Sequence, residues 1–148
     1  MSHMPRILIV ESNDVLRAML FTILRHQPVG VDTAASAETA LKKIKTCHYS
    51  IVVIDLDTPN SESFLTGFRE ERPDAPTFVL AIRDPSREEP LDRELIAAVM
   101  NKPLEIDTLA ELVRECAHIV PRPENPRSCP PAENDIRARM ERGPYLAN

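Results

Sequence analysis

Five short apolar runs alternate along this chain with stretches of helical periodicity. The runs are rich in β-branched residues and almost continuously apolar, which is typical of strands that are covered on both faces. Because a helical pattern follows each run, the sequence predicts repeated βα units and therefore a parallel sheet between layers of helices. The predicted strands are Arg6 to Val10, Val29 to Ala34, Ser50 to Ile54, Thr77 to Ile82 and Ala97 to Met100.

The helical stretches differ in how clearly the sequence defines them. The first carries an apolar stripe at three- and four-residue spacing from Val15 to Leu24, so one of its faces is expected to pack on the sheet. Ser36 is placed to cap the second helix. Pro85 and Pro90 interrupt the stretch between the fourth and fifth strands, where we expect a helix that starts late or is irregular.

One domain over residues 5–120 is expected to hold all these elements, because 148 residues suffice for one ordinary core and a tail. Five prolines between positions 121 and 131 predict a proline-rich tail or linker over residues 121–148. Opposite charges at four-residue spacing favour a short helix within that tail, at 132–142. Residues 1–4 are interpreted as an expression scar, Met1-Ser2-His3, followed by a native start at Met4.

Composition narrows the class of protein. The net charge of −5 and the hydrophobic content of 43% are those of a soluble globular protein, and the mild acidity argues against direct contact with nucleic acid. No stretch approaches the roughly 18 apolar residues that cross a bilayer, and none has the pattern of a signal peptide, so we expect a cytoplasmic protein without membrane contact. The cysteines have no metal-ligand spacing and are expected to be reduced thiols: Cys47, Cys116 and Cys129.

Charged side chains follow the predicted strands at the points where the strands end. Glu11 follows the first strand, Asp55 and Asp57 end the third, and Lys102 before Pro103 follows the fifth. Since open α/β sheets carry their chemistry at the carboxyl ends of the strands, these side chains are expected to converge there. A nucleophilic oxygen, acids for Mg²⁺ and a fixed cation are what phosphoryl transfer needs. The alternative is that Asp55 only ends a strand and caps a turn.

With Glu11, Asp55 and Lys102-Pro103 in this order, the chain resembles the CheY-like receiver domain of two-component response regulators. The resemblance implies an α/β fold with a doubly wound, five-stranded parallel sheet in the order 2-1-3-4-5 and (βα)5 topology. By position, Asp55 is the phosphoacceptor and Lys102 is the cation that meets the phosphoryl group. A Mg²⁺ ion is implied on Glu11, Asp55 and the backbone carbonyl of Asp57. The family usually has the bond before Pro103 in the cis form, which we predict here.

The resemblance also implies a signalling role rather than an enzymatic one. The implied phosphoryl donor is a phosphohistidine on a sensor histidine kinase or a phosphotransfer protein. An output domain or a partner protein would act downstream, and pairing into a homodimer is frequent among receivers. The chain is expected to be either a stand-alone receiver or part of a longer regulator.

The chain departs from the family pattern at positions that bear on function. Ser12 stands where the family has a second acid, Ala81 replaces the switch hydroxyl, and Val99 replaces the switch aromatic. We therefore expect a weakened Mg²⁺ site and an impaired or atypical response of the output face to phosphorylation. Arg83 is predicted to pair with Asp57 across the mouth of the pocket.

The main alternative function is a pseudo-receiver that acts as a phosphorylation-independent protein-interaction module. Two further alternatives rest on weaker likenesses. The segment Asp55-Leu56-Asp57-Thr58 resembles the nucleophile and acid pair of haloacid-dehalogenase-type phosphatases, but Pro59 stands where that family needs a hydroxyl. A flavin-binding protein of the same fold needs a hydroxyl- and glycine-rich phosphate loop, and this chain has only three glycines.

Overall fold

A computed structural model describes residues 4–71, 77–120 and 125–135 of the chain. Within these residues, five strands alternate with helices in the order expected of βα units, except between the last two strands. The elements are β1 (Arg6–Val10), α1 (Asp14–Leu24), β2 (Gly30–Ala34), α2 (Ala37–Thr46), β3 (Ile51–Asp55), α3 (Ser61–Glu71), β4 (Phe78–Arg83), β5 (Ile96–Asn101) and α4 (Ile106–Ile119).

The five strands form one parallel sheet in the order β2-β1-β3-β4-β5, which confirms the predicted architecture. Because side chains alternate between the faces of a strand, successive residues of β1 pack into opposite layers of the core. Ile7 and Ile9 pack with apolar residues of α1 and α4, whereas Leu8 and Val10 pack with those of α2 and α3. The interior strands are buried on both faces, which explains why their sequences are continuously apolar.

Polar caps begin the helices that follow the first two strands. Ser36 Oγ accepts a hydrogen bond of 3.1 Å from the Thr39 amide, as the sequence predicts. Asn13 Oδ1 accepts one of 2.9 Å from the Leu16 amide and so caps α1. These bonds satisfy amides that have no partner within their helix, and they fix the points at which the chain leaves the strand ends.

The (βα)5 prediction is wrong in its fourth unit, because the described residues 84–95 form turns rather than a helix. Asp84 accepts hydrogen bonds at its side chain from the amide and hydroxyl of Ser86 and at its carbonyl from the Arg87 amide. A second turn closes at Asp92, whose carbonyl accepts a bond of 2.8 Å from the Ile96 amide. Local side-chain bonds of this kind compete with helix formation, and the prolines nearby reinforce them.

Residues 125–135 lie against the open edge of β2 and the end of α2. A disulfide joins Cys47 to Cys129 across a sequence separation of 82 residues, so the expectation of three reduced thiols is wrong for these two. Cys116 on α4 is free and buried. The cause of the error is the path of the chain: the tail returns to the sheet and brings two distant cysteines together.

Side chains of this returning segment complete the hydrogen bonding of β2. The Val31 amide donates to Asn134 Oδ1 at 2.8 Å, and the Thr33 amide donates to Glu133 Oε2 at 2.7 Å. Asn134 Nδ2 in turn donates to the Val29 carbonyl at 3.0 Å. These contacts cover outward-facing backbone groups of an edge strand, which would otherwise offer a template for another chain.

Two remaining predictions fall at the limits of the described residues. In the tail, residues 132–135 form a turn and no helix, while the rest of the predicted helix at 132–142 lies outside the described residues, as do residues 1–3. Within the described ranges, none of the helices combines the length and apolar character that a bilayer span requires.

Candidate functional site

Strand ends bring the predicted acids and the lysine together at one edge of the sheet. Asp55 is the last residue of β3, and Glu11 and Lys102 directly follow β1 and β5. Lys102 Nζ lies 2.8 Å from Asp55 Oδ2 and 3.0 Å from Asp57 Oδ2. The convergence expected for the carboxyl ends of parallel strands is therefore present.

The turn after β3 fixes the orientation of the Asp55 carboxylate. Asp55 Oδ1 accepts a hydrogen bond of 2.9 Å from the Asp57 amide, and the Asp55 carbonyl accepts one from Thr58. Such local bonds from a side chain to the backbone two residues on are typical of Asp in turns. Asn60 completes the turn with a φ of 64°, a left-handed conformation that Asn tolerates better than most residues.

Lys102 is anchored by both its backbone and its side chain. Its amide donates to the Arg83 carbonyl at 2.9 Å, and the bond to Pro103 is cis, as predicted. Partial burial alone would lower the pKa of Lys102, but the carboxylates of Asp55 and Asp57 outweigh that effect and hold the pKa above its ordinary value. The ammonium group is therefore a fixed positive charge at the strand ends.

Glu11 is buried, with only 1% of its surface exposed. Oε2 accepts a hydrogen bond of 3.1 Å from the Asn13 amide, whereas Oε1 is buried without a hydrogen-bond partner. Burial, followed by the hydrogen bond to Asp55, raises the pKa of Glu11 to about 7. Burial beside the Asp55 carboxylate thus favours the protonated form of Glu11.

Asp55 has the opposite behaviour. Its burial would raise the pKa, but hydrogen bonds from Glu11, Lys102 and the Asp57 amide together lower the pKa below its ordinary value. The ionised form of Asp55 is thus the stable one, which leaves it a carboxylate with lone pairs available for a bond to an electrophile.

The acids fit a Mg²⁺ ion only in part. No cluster of three or more His, Cys, Asp or Glu side chains within the described ranges is arranged to hold a metal. The Asp57 side chain is engaged by cations, which leaves the two carboxylates of Glu11 and Asp55 to face each other. Mg²⁺ keeps several waters and needs only one or two carboxylates, and the unpartnered Oε1 of Glu11 is a ligand atom of the right kind.

The two residues at the switch positions, Ala81 and Val99, have no polar side chain. Ala81 and Val99 lie in register on β4 and β5. Ala81 is fully buried in the core, whereas Val99 is 38% exposed because no helix follows β4 to cover that part of the sheet. Ser12, at the position of the second acid, is exposed. The side chains of Ala81 and Val99 have no donor for a hydrogen bond to a group on Asp55.

The predicted pair between Arg83 and Asp57 is wrong, and Arg87 takes its place. Arg87 Nη1 lies 3.3 Å from Asp57 Oδ1 and donates to the Leu56 carbonyl at 2.6 Å. Arg83 ends β4, where strand geometry fixes its direction, and its Nε is buried without a partner. The turn that starts at Asp84 carries Arg87 back over the pocket instead.

A signal for Arg87 is present in the sequence. Asp84-Pro85-Ser86-Arg87 has Asp and Pro at the first two positions of a β-turn, which are favoured there in type I turns, and the hydrogen bond from the Arg87 amide to the Asp84 carbonyl closes it. A turn at these four residues, instead of an irregular helix, predicts that Arg87 lies near the strand ends.

A cavity of about 360 Å³ lies between α3 and residues 84–95, next to the pocket. Its wall includes apolar side chains from both sides, among them Leu65, Leu91 and Leu95, and charged ones such as Arg69. Arg87 lines it as well. The cavity occupies part of the space beside α3 that a helix after β4 would fill.

The chain is similar in sequence to known regulators. It is 32% identical over 81 residues to the transcriptional regulatory protein PmrA of Pectobacterium parmentieri, a match that covers 53% of this chain and 36% of PmrA. It is 36% identical over 77 residues to the two-component response regulator PhoP of Pseudomonas aeruginosa, with 52% of this chain and 34% of PhoP covered. The chain thus spans about a third of the length of these relatives. No protein-family model matches it.

Solved structures share its fold. The receiver domain of the Francisella response regulator 1452 superposes with a TM-score of 0.67 at 20% identity, covering 77% of this chain and 97% of that domain. The response regulator TrrA of Thermotoga maritima, in complex with Mg²⁺-BeF, superposes with a TM-score of 0.66 at 25% identity, covering 76% and 99%. PhoP is a two-component response regulator and the Francisella structure is a receiver domain, so the described strands and helices have the fold of a response-regulator receiver domain.

Proposed function

We propose that this receiver domain works in a two-component phosphorelay and accepts a phosphoryl group on Asp55. The observation that carries the proposal is the ion pair of 2.8 Å between the buried Asp55 carboxylate and Lys102, with the carboxyl group of Glu11 beside them. A nucleophile, a fixed cation and an acid for a metal ion thus meet at one strand edge, which is the arrangement that phosphoryl transfer requires.

The proposed step is a displacement at phosphorus. A carboxylate oxygen of Asp55 forms the new O–P bond while the P–N bond of a donor phosphohistidine breaks, and the electron pair of that bond returns to the imidazole nitrogen. Lys102 neutralises charge on the phosphoryl oxygens, and its contact with Asp57 keeps the ammonium at the mouth of the pocket. Most of the catalysis in such a step is positioning and electrostatics.

A Mg²⁺ ion on Glu11, Asp55 and the Asp57 carbonyl would supply further neutralisation of the phosphoryl oxygens. Glu11 must lose its proton to act as a ligand, and its raised pKa means that metal and proton compete near neutral pH. Ser12 contributes no carboxylate. We therefore propose a metal site that is weaker than one with two acids after β1.

The proposed phosphoryl donor is a sensor histidine kinase or a phosphotransfer protein. An output domain or a partner protein would receive the signal, since the two relatives described above are regulators about three times the length of the matched region. Pairing into a homodimer remains part of the proposal.

A second candidate is a phosphorylation-independent interaction module. It is favoured by the absence of a hydroxyl at Ala81 and of an aromatic at Val99, both of which leave the strand ends without the usual means of reporting phosphorylation. In this case the pocket would be a structural ion-pair cluster of Asp55, Asp57, Lys102 and Arg87.

An amide NMR titration distinguishes the two functions. Mg²⁺ is added first and beryllofluoride second, because beryllofluoride mimics a phosphoryl group on a carboxylate. Phosphorylation predicts shifts at the strand ends around Asp55 in both steps, and none in the second step for Asp55→Asn. Absence of any shift near Asp55 in the native chain would reject the phosphorylation proposal and leave the interaction module.

A further inference from the structure

We propose that Arg87 is a second phosphoryl-binding cation of this site, and that it connects the site with the cavity between α3 and residues 84–95. The inference rests on the proposed phosphorylation of Asp55. The Ala81 side chain has no hydroxyl and cannot donate a hydrogen bond to a phosphoryl group on Asp55. The inference assigns that contact to an arginine on the β4–β5 connection.

The position of the guanidinium supports this assignment. Arg87 Nη1 contacts both the Leu56 carbonyl and Asp57 Oδ1, which belong to the two residues that follow Asp55. Nε lies 3.5 Å from Glu89 Oε2. A guanidinium has five N–H donors, so these contacts leave donors that can turn toward a new anion.

Charge also draws Arg87 toward a phosphorylated Asp55. Asp57 now lies between two cations, with Lys102 on one carboxylate oxygen and Arg87 on the other. A phosphoryl group on Asp55 adds roughly 1.5 to 2 negative charges close to this pair. The planar guanidinium forms two parallel hydrogen bonds with phosphoryl oxygens more readily than an ammonium does, so Arg87 gains more from the new charge than a lysine would.

Arg87 also belongs to the wall of the adjacent cavity. The same cavity is lined by Leu56 from the pocket turn, by Leu91 from the β4–β5 connection and by Ile96 at the start of β5. The connection is short, and hydrogen-bonded turns at Asp84 and Asp92 limit its freedom. Displacement of Arg87 would therefore move the residues of the connection that line the cavity. This gives the domain a route from pocket to surface that uses neither Ala81 nor Val99.

The direct test is the affinity of the full chain for beryllofluoride in the presence of Mg²⁺, measured for the native protein, Arg87→Ala and Arg87→Lys. Losing a charge-assisted hydrogen bond should weaken binding about tenfold or more in Arg87→Ala. Arg87→Lys should recover only part of the affinity, because lysine lacks the planar fork.

The matched control is Arg69→Ala. Arg69 lines the same cavity and pairs with Asp92 at 2.5 Å, but none of its described ion pairs involves the turn after β3. We expect its beryllofluoride affinity to equal that of the native chain. Thermal unfolding of each variant establishes that it is folded before binding is compared.

A second readout separates a ligand role from a merely structural one. In the native chain, beryllofluoride should shift amide signals at residues 87–96 as well as around Asp55. In Arg87→Ala at saturating beryllofluoride, the shifts around Asp55 should remain and those at 88–96 should be lost.

Each outcome decides one question. Equal affinity of the native chain and Arg87→Ala, or unchanged shifts at 88–96 in the variant, would overturn the role of Arg87 while leaving phosphorylation intact. Failure of the native chain itself to bind beryllofluoride would overturn the proposed function, and this inference with it.

Discussion

Glu11 and Asp32 are both buried acids, and their neighbours have opposite character. Asp32 accepts hydrogen bonds from the Arg6 guanidinium, the Tyr49 hydroxyl at 2.6 Å and the Glu133 amide at 3.0 Å. Glu11 faces a second carboxyl group and receives only one backbone donor. Three donors, one of them a guanidinium, satisfy the buried Asp32 side chain. Burial beside a second carboxyl group instead favours a proton on Glu11, or a cation in place of that proton.

The raised pKa of Glu11 predicts a specific dependence of stability on pH. Its pKa of about 7 in the folded chain exceeds the ordinary value of 4.5, so the folded state binds more protons between these values. The stabilisation is complete below the ordinary pKa and is lost as pH rises through about 7. Glu11→Gln mimics the protonated form at every pH. Relative to the native chain, this variant should be equally stable near pH 4 and more stable near pH 8, by up to about 3 kcal/mol.

Urea unfolding in the presence of EDTA measures this difference. Comparison with the variant cancels the titration of other acids, which both chains share. If the free energies of the two proteins run parallel between about pH 4 and pH 8, Glu11 titrates at an ordinary pKa in the folded chain.

Asp32 carries the complementary prediction. The Arg6 and Asp32 side chains are 11% and 6% exposed, and the guanidinium also lies over the Tyr49 ring. Asp32→Asn keeps the shape but leaves the arginine charge buried without a counter-ion, so the free energy of unfolding should fall by about 3 kcal/mol. Asp14→Asn is the control, because Asp14 is 86% exposed in its pair with Arg17 and its loss should cost less than about 1 kcal/mol. Equal effects of the two substitutions would contradict this account.

At the scale of elements, β2 is completed by side chains instead of by another strand. Glu133 and Asn134 take the places that backbone groups of a sixth strand would occupy, and Lys43 Nζ adds a bond of 2.5 Å to the Thr33 carbonyl. The Cys47–Cys129 bond holds the segment that supplies them. An edge protected in this way depends on a covalent link as much as on packing.

Hydrogen exchange should report this dependence amide by amide. In Cys129→Ser, or in the reduced chain, the Val31 and Thr33 amides should exchange at least tenfold faster, because only tail side chains accept their bonds. The Gly30 amide donates to the Pro5 carbonyl within the domain and serves as the internal control. Asn134→Ala should affect Val31 more than Thr33, and Glu133→Ala should do the reverse. Uniform loss of protection, including at Gly30, would indicate global destabilisation instead.

For the molecule as a whole, the β2 edge of the sheet is covered by residues 125–135, and removal of residues 121–148 would uncover it. We expect the shortened chain to self-associate with increasing concentration, since exposed edge strands pair with one another. Sedimentation velocity measures this, with circular dichroism to establish that the domain is still folded. A shortened chain that stays folded and monomeric at the concentrations where the full chain does would show that the tail is not needed to protect the edge.

The sequence predicts the parallel sheet and the meeting of Glu11, Asp55 and Lys102, because hydrophobic period and strand-end positions determine these features locally. The strand order follows only from the resemblance to receiver domains. It does not predict the Cys47–Cys129 bond, since that depends on where a proline-rich tail returns, and the spacing of the cysteines contains no record of it. The sequence predicts an irregular helix where the structure has hydrogen-bonded turns, and it therefore does not predict the Arg87 contact. Register and turn geometry, rather than residue type, decide which arginine reaches Asp57.

Strand β3 has one further consequence for experiment. Cys47 lies shortly before this strand and Asp55 ends it, so the disulfide and the carboxylate pocket lie toward opposite ends of a strand that is about 13 Å long. Reducing agents and metal or phosphoryl mimics therefore address separate ends of the same buried segment. Each can be varied in one sample while the other is held constant, and any influence of one on the other would have to travel through the core.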